Sequence, residues 1–107
     1  SSSNVFIVDR QQRVITPAKS QYLLPGVTRD LILDLAKDAG LTCQETEISE
    51  QQLRAAQEVW ITSSLREIQA ITRLDGKTVA DGKPGALWRR VYQALQDYKS
   101  RLRDAQS

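Results

Sequence analysis

A mixed α/β (α+β) domain, with its elements in the order ββαβαββα, is the fold class this sequence predicts. Short β-favouring runs bounded by turn residues alternate with stretches of helical periodicity, and one long amphipathic segment closes the chain. No internal repeat, linker or low-complexity segment divides it. With 107 residues, it is expected to form a single domain over 1–107 built on one core.

The first two strands are expected at Val5 to Val8 and Arg13 to Thr16, joined by the polar turn Asp9-Arg10-Gln11-Gln12 and ended by Pro17. In LLPGVTRD, Pro25 and Gly26 stand just ahead of Thr28; from there Leu31, Ile32, Leu35, Ala36 and Ala39 recur at helical spacing until Gly40 stops the pattern. LTCQETEI suits a returning strand. Ser49, followed three residues later by Gln52, has the form of a capping box and marks a short helix. A strongly apolar strand then runs from Val59 to Thr62. Glu67 to Leu74 leads into a turn at Asp75-Gly76, making a hairpin that closes on Thr78 and Val79. Pro84 occupies the expected first position of the last helix, whose apolar stripe is Leu87, Val91, Leu95, Tyr98 and Leu102.

Composition narrows the chemistry. Hydrophobic residues make up 40% and charged residues 26%, as in soluble globular proteins, so neither a disordered nor a fibrous chain is expected. Fifteen basic against thirteen acidic residues leave only +2, too small an excess to indicate a nucleic-acid or anionic-membrane partner. Asp97 and Asp104 interrupt the basic face of the last helix, and no aromatic lies among its arginines to stack a base. The sequence has no histidine, so a Ser-His-Asp or Cys-His pair cannot be assembled from it. Cys43, the lone cysteine, cannot form an intrachain disulfide and is expected to pack as a small hydrophobe. No apolar run reaches membrane-spanning length and none opens the chain as a signal peptide would, so a cytoplasmic protein with no membrane partner is expected.

Two places could bind an anion. In PGVTRD, Gly26 lets the backbone come close to a ligand, the N–H groups of Val27 and Thr28 point out of a helix N-terminus, and Thr28 adds a hydroxyl. The same residues also read as a plain turn, with Thr28 as helix cap and Asp30 complementing the dipole. The second place is Thr62, Ser63 and Ser64, where small hydroxyl residues end the most apolar strand, at the position where ligands of α/β sheets usually sit. A serine-rich turn is the alternative there. Trp60 and Trp88 are expected in the core. Lys19, Lys37, Lys77, Lys83 and Lys99 fall in turns or on polar faces, where a nucleophilic, neutral amine is hard to arrange.

Taken together and in order, SSSNVFIV, LLPGVTRD, VWITSSLREI and TRLDGKTVADGKPG resemble the C-terminal part of the large domain of class IV (fold type IV) pyridoxal-phosphate aminotransferases, over essentially the whole chain. The D-amino-acid aminotransferases are the nearest in pattern, with branched-chain aminotransferases and aminodeoxychorismate lyases as cousins. The resemblance implies pyridoxal phosphate as cofactor, with its phosphate held by Gly26, Val27 and Thr28 on one side and by Ser63 and Ser64 on the other. It also places Ser2 and Ser3 near the cofactor ring or substrate.

Further expectations follow from it. Transfer of an amino group between an amino acid, such as D-alanine, and a 2-oxo acid is implied for a homodimeric parent enzyme. The family's pyridine-binding glutamate would precede Ser1 by two positions, and its Schiff-base lysine would lie farther upstream. The chain is therefore expected to be a truncated, cofactor-binding C-terminal fragment, inert alone and with no catalytic residue of its own. The alternative from another class is a non-catalytic binding or scaffold domain that keeps the fold without the chemistry.

Overall fold

A computed structural model describes residues 4–18, 27–63 and 67–106, with the side chains of Val27 and Gln106 left out of the description. The elements run β1 (Asn4–Val8), β2 (Arg13–Thr16), α1 (Val27–Asp38), β3 (Thr42–Glu45), α2 (Glu50–Arg54), β4 (Glu58–Ser63), β5 (Glu67–Ile71), β6 (Arg73–Leu74), β7 (Lys77–Thr78) and α3 (Ala86–Gln106). The mixed α+β class follows the sequence expectation, while the element order, ββαβαββββα, has two strands more than expected. The segment 67–74 breaks at Thr72, after which Arg73 and Leu74 leave the main sheet and pair with Thr78 and Lys77. The turn between them is tight: Asp75 and Gly76 both have positive φ, 51° and 79°, the geometry of a two-residue hairpin.

Five strands form one sheet in the order β3-β2-β1-β4-β5. β1 pairs antiparallel with β2 and β4, β2 pairs parallel with β3, and β4 pairs antiparallel with β5. A parallel pair needs a crossover, which α1 supplies. α1 ends in a Schellman turn: Gly40 sits at φ +85°, its N–H donates to the Lys37 carbonyl at 3.0 Å, and the Leu41 N–H donates to the Ala36 carbonyl at 3.0 Å.

Strand alternation sorts the core into two layers. Phe6, Val8, Val14, Trp60 and Ile68 face α1 and α3, where Ile32, Leu33, Ala36, Leu87, Val91 and Leu95 complete the larger cluster. Phe6 and Trp60, cross-strand partners, bring their rings to a centroid distance of 6.0 Å. Ile7, Ile15 and Val59 face the other way, covered by Ala56, Val79 and the part-buried Ile48 and Leu53 around α2. Ser49 and Gln52 close the capping box of α2 in both directions. Trp60 is fully buried as expected. Trp88 is only part-buried and stacks on exposed Tyr92 at 4.8 Å, one helical turn further on.

α3 starts at Ala86, two residues later than Pro84 suggests. Its cap comes from another strand. The Glu58 carboxylate at the start of β4 accepts the N–H of Leu87 at 3.1 Å and of Trp88 at 2.8 Å, and also the Trp60 indole N–H at 3.0 Å. Gly85 makes that approach feasible, since a Cβ there would lie 2.1 Å from the Glu58 Cδ.

The β1–β2 turn is held by Asp9, which accepts from the Gln11 N–H at 3.0 Å, the Arg13 N–H at 2.9 Å and the Arg13 Nε at 2.7 Å. Desolvation pushes the Asp9 carboxyl up, but the bonds from Arg13 and Gln11 outweigh it and hold the carboxyl below its ordinary 3.8. A carboxyl depressed in the folded state contributes stability above its unfolded pKa and loses it as pH falls through the lower folded value. Asp9→Asn is expected to cost about 1 kcal/mol near neutrality, a penalty that shrinks as the pH falls below about 4. Urea unfolding of both proteins across that range checks it.

Candidate functional site

One end of the sheet gathers the residues suited to an anion. β2, β3 and β4 run in the same direction, so their C-terminal ends share one edge with the starts of β1 and β5. α1 begins at this edge. From its first turn, Arg29 donates to the Pro17 carbonyl just past β2 at 2.7 Å and to the Glu45 carboxylate at the end of β3 at 2.7 Å. α1 also packs against β4. The helix start and the Ser63 end of β4 therefore flank the start of β1 from two sides, and β2 and β4, both neighbours of β1, lie about 10 Å apart.

The start of β1 is clamped on both sides. Thr16 of β2 is buried and its hydroxyl donates to the Val5 carbonyl at 2.7 Å; Thr62 of β4 is buried and its hydroxyl donates to the Asn4 carbonyl at 3.4 Å. Thr62, one of the hydroxyl residues singled out in the sequence, is thus spent on the sheet. Ser63, the last residue of β4, stands at the edge.

Helix α1 opens at Val27, so Thr28 lies inside the first turn and does not cap it from outside. Thr28 is buried, 5% exposed. The N–H groups of a helix's first turn have no intrahelical acceptor, and the dipole behind them favours negative charge. Ser2, Ser3, Gly26 and Ser64 lie outside the described residues, as does Lys19; Val27 is described in its backbone only.

The sequence reading missed Arg29. Its spacing of three, four and seven positions from Ile32, Leu33 and Ala36 on the buried face of α1 was the available signal. Its guanidinium also pairs with Asp30 at 3.1 Å. Glu67 at the start of β5 is paired with Lys99 of α3. The carboxylates of Asp30, Glu45 and Glu67 at this end therefore each have a cation partner, which limits their repulsion of an anion.

Helix-start N–H groups and hydroxyls suit a phosphate, the group that the pyridoxal-phosphate cup implied by the resemblance would hold at this edge. Among the described residues no group of acidic, cysteine or histidine side chains could hold a metal, and no helix is long and apolar enough to cross a membrane. Lys37, Lys77 and Lys83 are exposed, and Lys99 is tied to Glu67. Cys43 packs part-buried against the larger cluster, where burial pushes its thiol pKa up. A cavity of about 300 Å³ beside the Asp9 turn and α2, lined by Ile7, Asp9, Arg13, Gln52 and Ala56, lies at the opposite end and is separate from these groups.

Comparison with known proteins gives a consistent picture. Residues 1–74 match the family model for amino-transferase class IV. A D-alanine aminotransferase from Bacillus licheniformis is 36% identical over 97 residues, covering 91% of this chain and 34% of the relative. A branched-chain-amino-acid aminotransferase-like protein from Arabidopsis thaliana is 33% identical over 96 residues, 90% of this chain and 17% of the relative. Among solved structures, a branched-chain amino acid aminotransferase from Escherichia coli superposes with a TM-score of 0.82 at 33% identity, over 90% of this chain and 32% of that one. An aminotransferase from Brucella abortus bound to the cofactor PLP superposes with a TM-score of 0.80 at 26% identity, over 91% of this chain and 33% of that one. The chain thus spans about a third or less of the length of these relatives.

Proposed function

Because this chain belongs to the class IV amino-transferase family, we propose that it forms the phosphate-binding side of a pyridoxal-phosphate site in an aminotransferase. One observation supports this above the others: the first turn of α1 and the end of β4 meet at one edge of the sheet, on either side of β1. A phosphate bound there would be hydrogen-bonded from both sides. The N–H groups of Val27 and Thr28, with Gly26 before them and the Thr28 hydroxyl, form one wall. Ser63 and Ser64 form the other, and Ser2 and Ser3 lead into β1 toward the cofactor ring.

The cofactor, when bound, supplies the electron sink that lets an amino group pass between an amino acid and a 2-oxo acid. This chain's residues hold and orient it. The α1 dipole and the hydroxyls fix the phosphate, Thr16 and Thr62 hold the strand that presents the serines, and the buried layer beneath keeps these groups in register. No lysine of this chain is assigned the covalent link or the substrate proton; we assign both to a lysine beyond these 107 residues, and with it the loss of activity in this chain alone.

A D-amino acid such as D-alanine is the proposed amino donor, supported by the D-alanine aminotransferases among the relatives and by the TSSLREI and DGKPG stretches. A branched-chain amino acid is the second reading, favoured by the Escherichia coli structure. A homodimeric parent, a single domain over 1–107 and a cytoplasmic setting belong to the same proposal.

Borohydride reduction followed by peptide mapping tests the assignment. In the natural protein that carries this chain, cofactor should be fixed to one lysine outside these residues, and the 107-residue chain alone should take up no stoichiometric label. A label on Lys19, Lys37, Lys77, Lys83 or Lys99 would contradict it. Turnover with D-alanine against L-leucine, each paired with 2-oxoglutarate, separates the two substrate classes.

A further inference from the structure

A buried arginine in the first turn of a helix needs a physical reason. A cation there opposes the helix dipole, and taking a guanidinium out of water is costly unless its donors are well satisfied. The Arg29 side chain is only 4% exposed, while its carboxylate partners Asp30 and Glu45 are 43% and 44% exposed. An apolar side chain could fill the same place beside Ile32 and Leu33 without that cost. What an apolar side chain could not do is join three elements. Nη2 reaches the Pro17 carbonyl and Glu45, each at 2.7 Å, and Nη1 reaches Asp30 at 3.1 Å. The end of β2, the end of β3 and the first turn of α1 are thereby locked to one planar group.

Resting on the phosphate site proposed above, we infer that Arg29 is the positioning residue of that site. It sets the angle and height of α1's first turn over the sheet edge, and so where the Val27 and Thr28 N–H groups and the Thr28 hydroxyl point. Three of its five N–H groups are engaged by Pro17, Glu45 and Asp30, and the role assigned to it runs through the turn these bonds hold. The planar fork is essential to this role: a lysine ammonium is a point donor on a flexible stem and would hold one of these partners with the others left loose.

The test compares binding of pyridoxal phosphate with binding of pyridoxal, which lacks the phosphate, to the natural protein that carries this chain. Absorbance titration gives both affinities, and thermal unfolding without cofactor gives stability. Arg29→Lys and Arg29→Gln should lower the preference for pyridoxal phosphate over pyridoxal by about tenfold or more, with pyridoxal affinity nearly unchanged. Glu45→Gln keeps a hydrogen-bond acceptor but removes the charge, and should lower the preference by a smaller factor, about threefold; it serves also if the Arg29 variants do not fold. A lowered unfolding temperature with the preference intact in Arg29→Lys and Glu45→Gln would overturn the inference and leave Arg29 a structural residue. No preference for pyridoxal phosphate in the unaltered protein would overturn the phosphate site itself, and this role with it.

Discussion

Changing Thr28 to valine and Ser63 to alanine together is expected to weaken pyridoxal phosphate binding by about a thousandfold, because hydrogen bonds to a charged group contribute about 1.5–3 kcal/mol each. Valine matches threonine in size and β-branching, so at the buried Thr28 position the change removes the hydroxyl and leaves the side-chain shape nearly the same. Each single change should account for roughly half of the combined free energy if the two walls act independently. Pyridoxal is the control, since its affinity should hardly change. A combined loss much larger than the product of the two single losses would mean that one hydroxyl compensates for the other, and one much smaller would mean that the two act as a single unit. Equal losses for pyridoxal and pyridoxal phosphate would move these residues off the phosphate altogether.

Gly85→Ala is expected to destabilise the fold by about 3 kcal/mol. Its methyl would stand 2.1 Å from the Cδ of Glu58 and 2.4 Å from Oε2, so the carboxylate must swing away. That removes the acceptor from the Leu87 and Trp88 N–H groups and from the Trp60 indole, three bonds to a charged group that are only partly replaced by water. Glu58→Ala should cost a similar amount, and the double variant little more than either single one, because both changes remove the same cap. Urea unfolding of the four proteins measures this. Additive losses would show that Gly85 acts through something other than Glu58. The α3 start lies at the end of the sheet opposite to the proposed phosphate site, so cofactor affinity of the folded fraction should stay close to that of the unaltered protein.

These two predictions mark the boundary of what the residues reveal locally. α1, α2 and the stripe of α3 were legible from periodicity, the Ser49–Gln52 box and Gly40, because helices are specified by neighbours three and four positions apart. The Asp75-Gly76 hairpin was legible for the same reason, although the break at Thr72 that frees it from the main sheet was not. Three further features depend on residues distant in the chain. The parallel pairing of β2 with β3, the Glu58 cap on α3 and the burial of Arg29 between Pro17 and Glu45 are all set by how strands are ordered. The late start of α3 follows directly, since a local proline signal at Pro84 gave way to a carboxylate supplied from β4.

The site divides along the same line. PGVTR and TSS stood out as anion-binding candidates because a glycine, a helix start and small hydroxyls at a strand end are local features. Their common edge was not local: it follows from β1 lying between β2 and β4. Nor was the division of labour within TSS, where Thr62 bonds the Asn4 carbonyl across the sheet while Ser63 ends the strand.

The most direct test of this account is a crystal structure of the natural protein that carries this chain, loaded with pyridoxal phosphate. Phosphate oxygens are expected about 3 Å from the Val27 or Thr28 N–H groups and from a Ser63 or Ser64 donor, with Arg29 still bound to Pro17 and Glu45 beneath. A phosphate seated elsewhere, or held by one of these walls without the other, would contradict it.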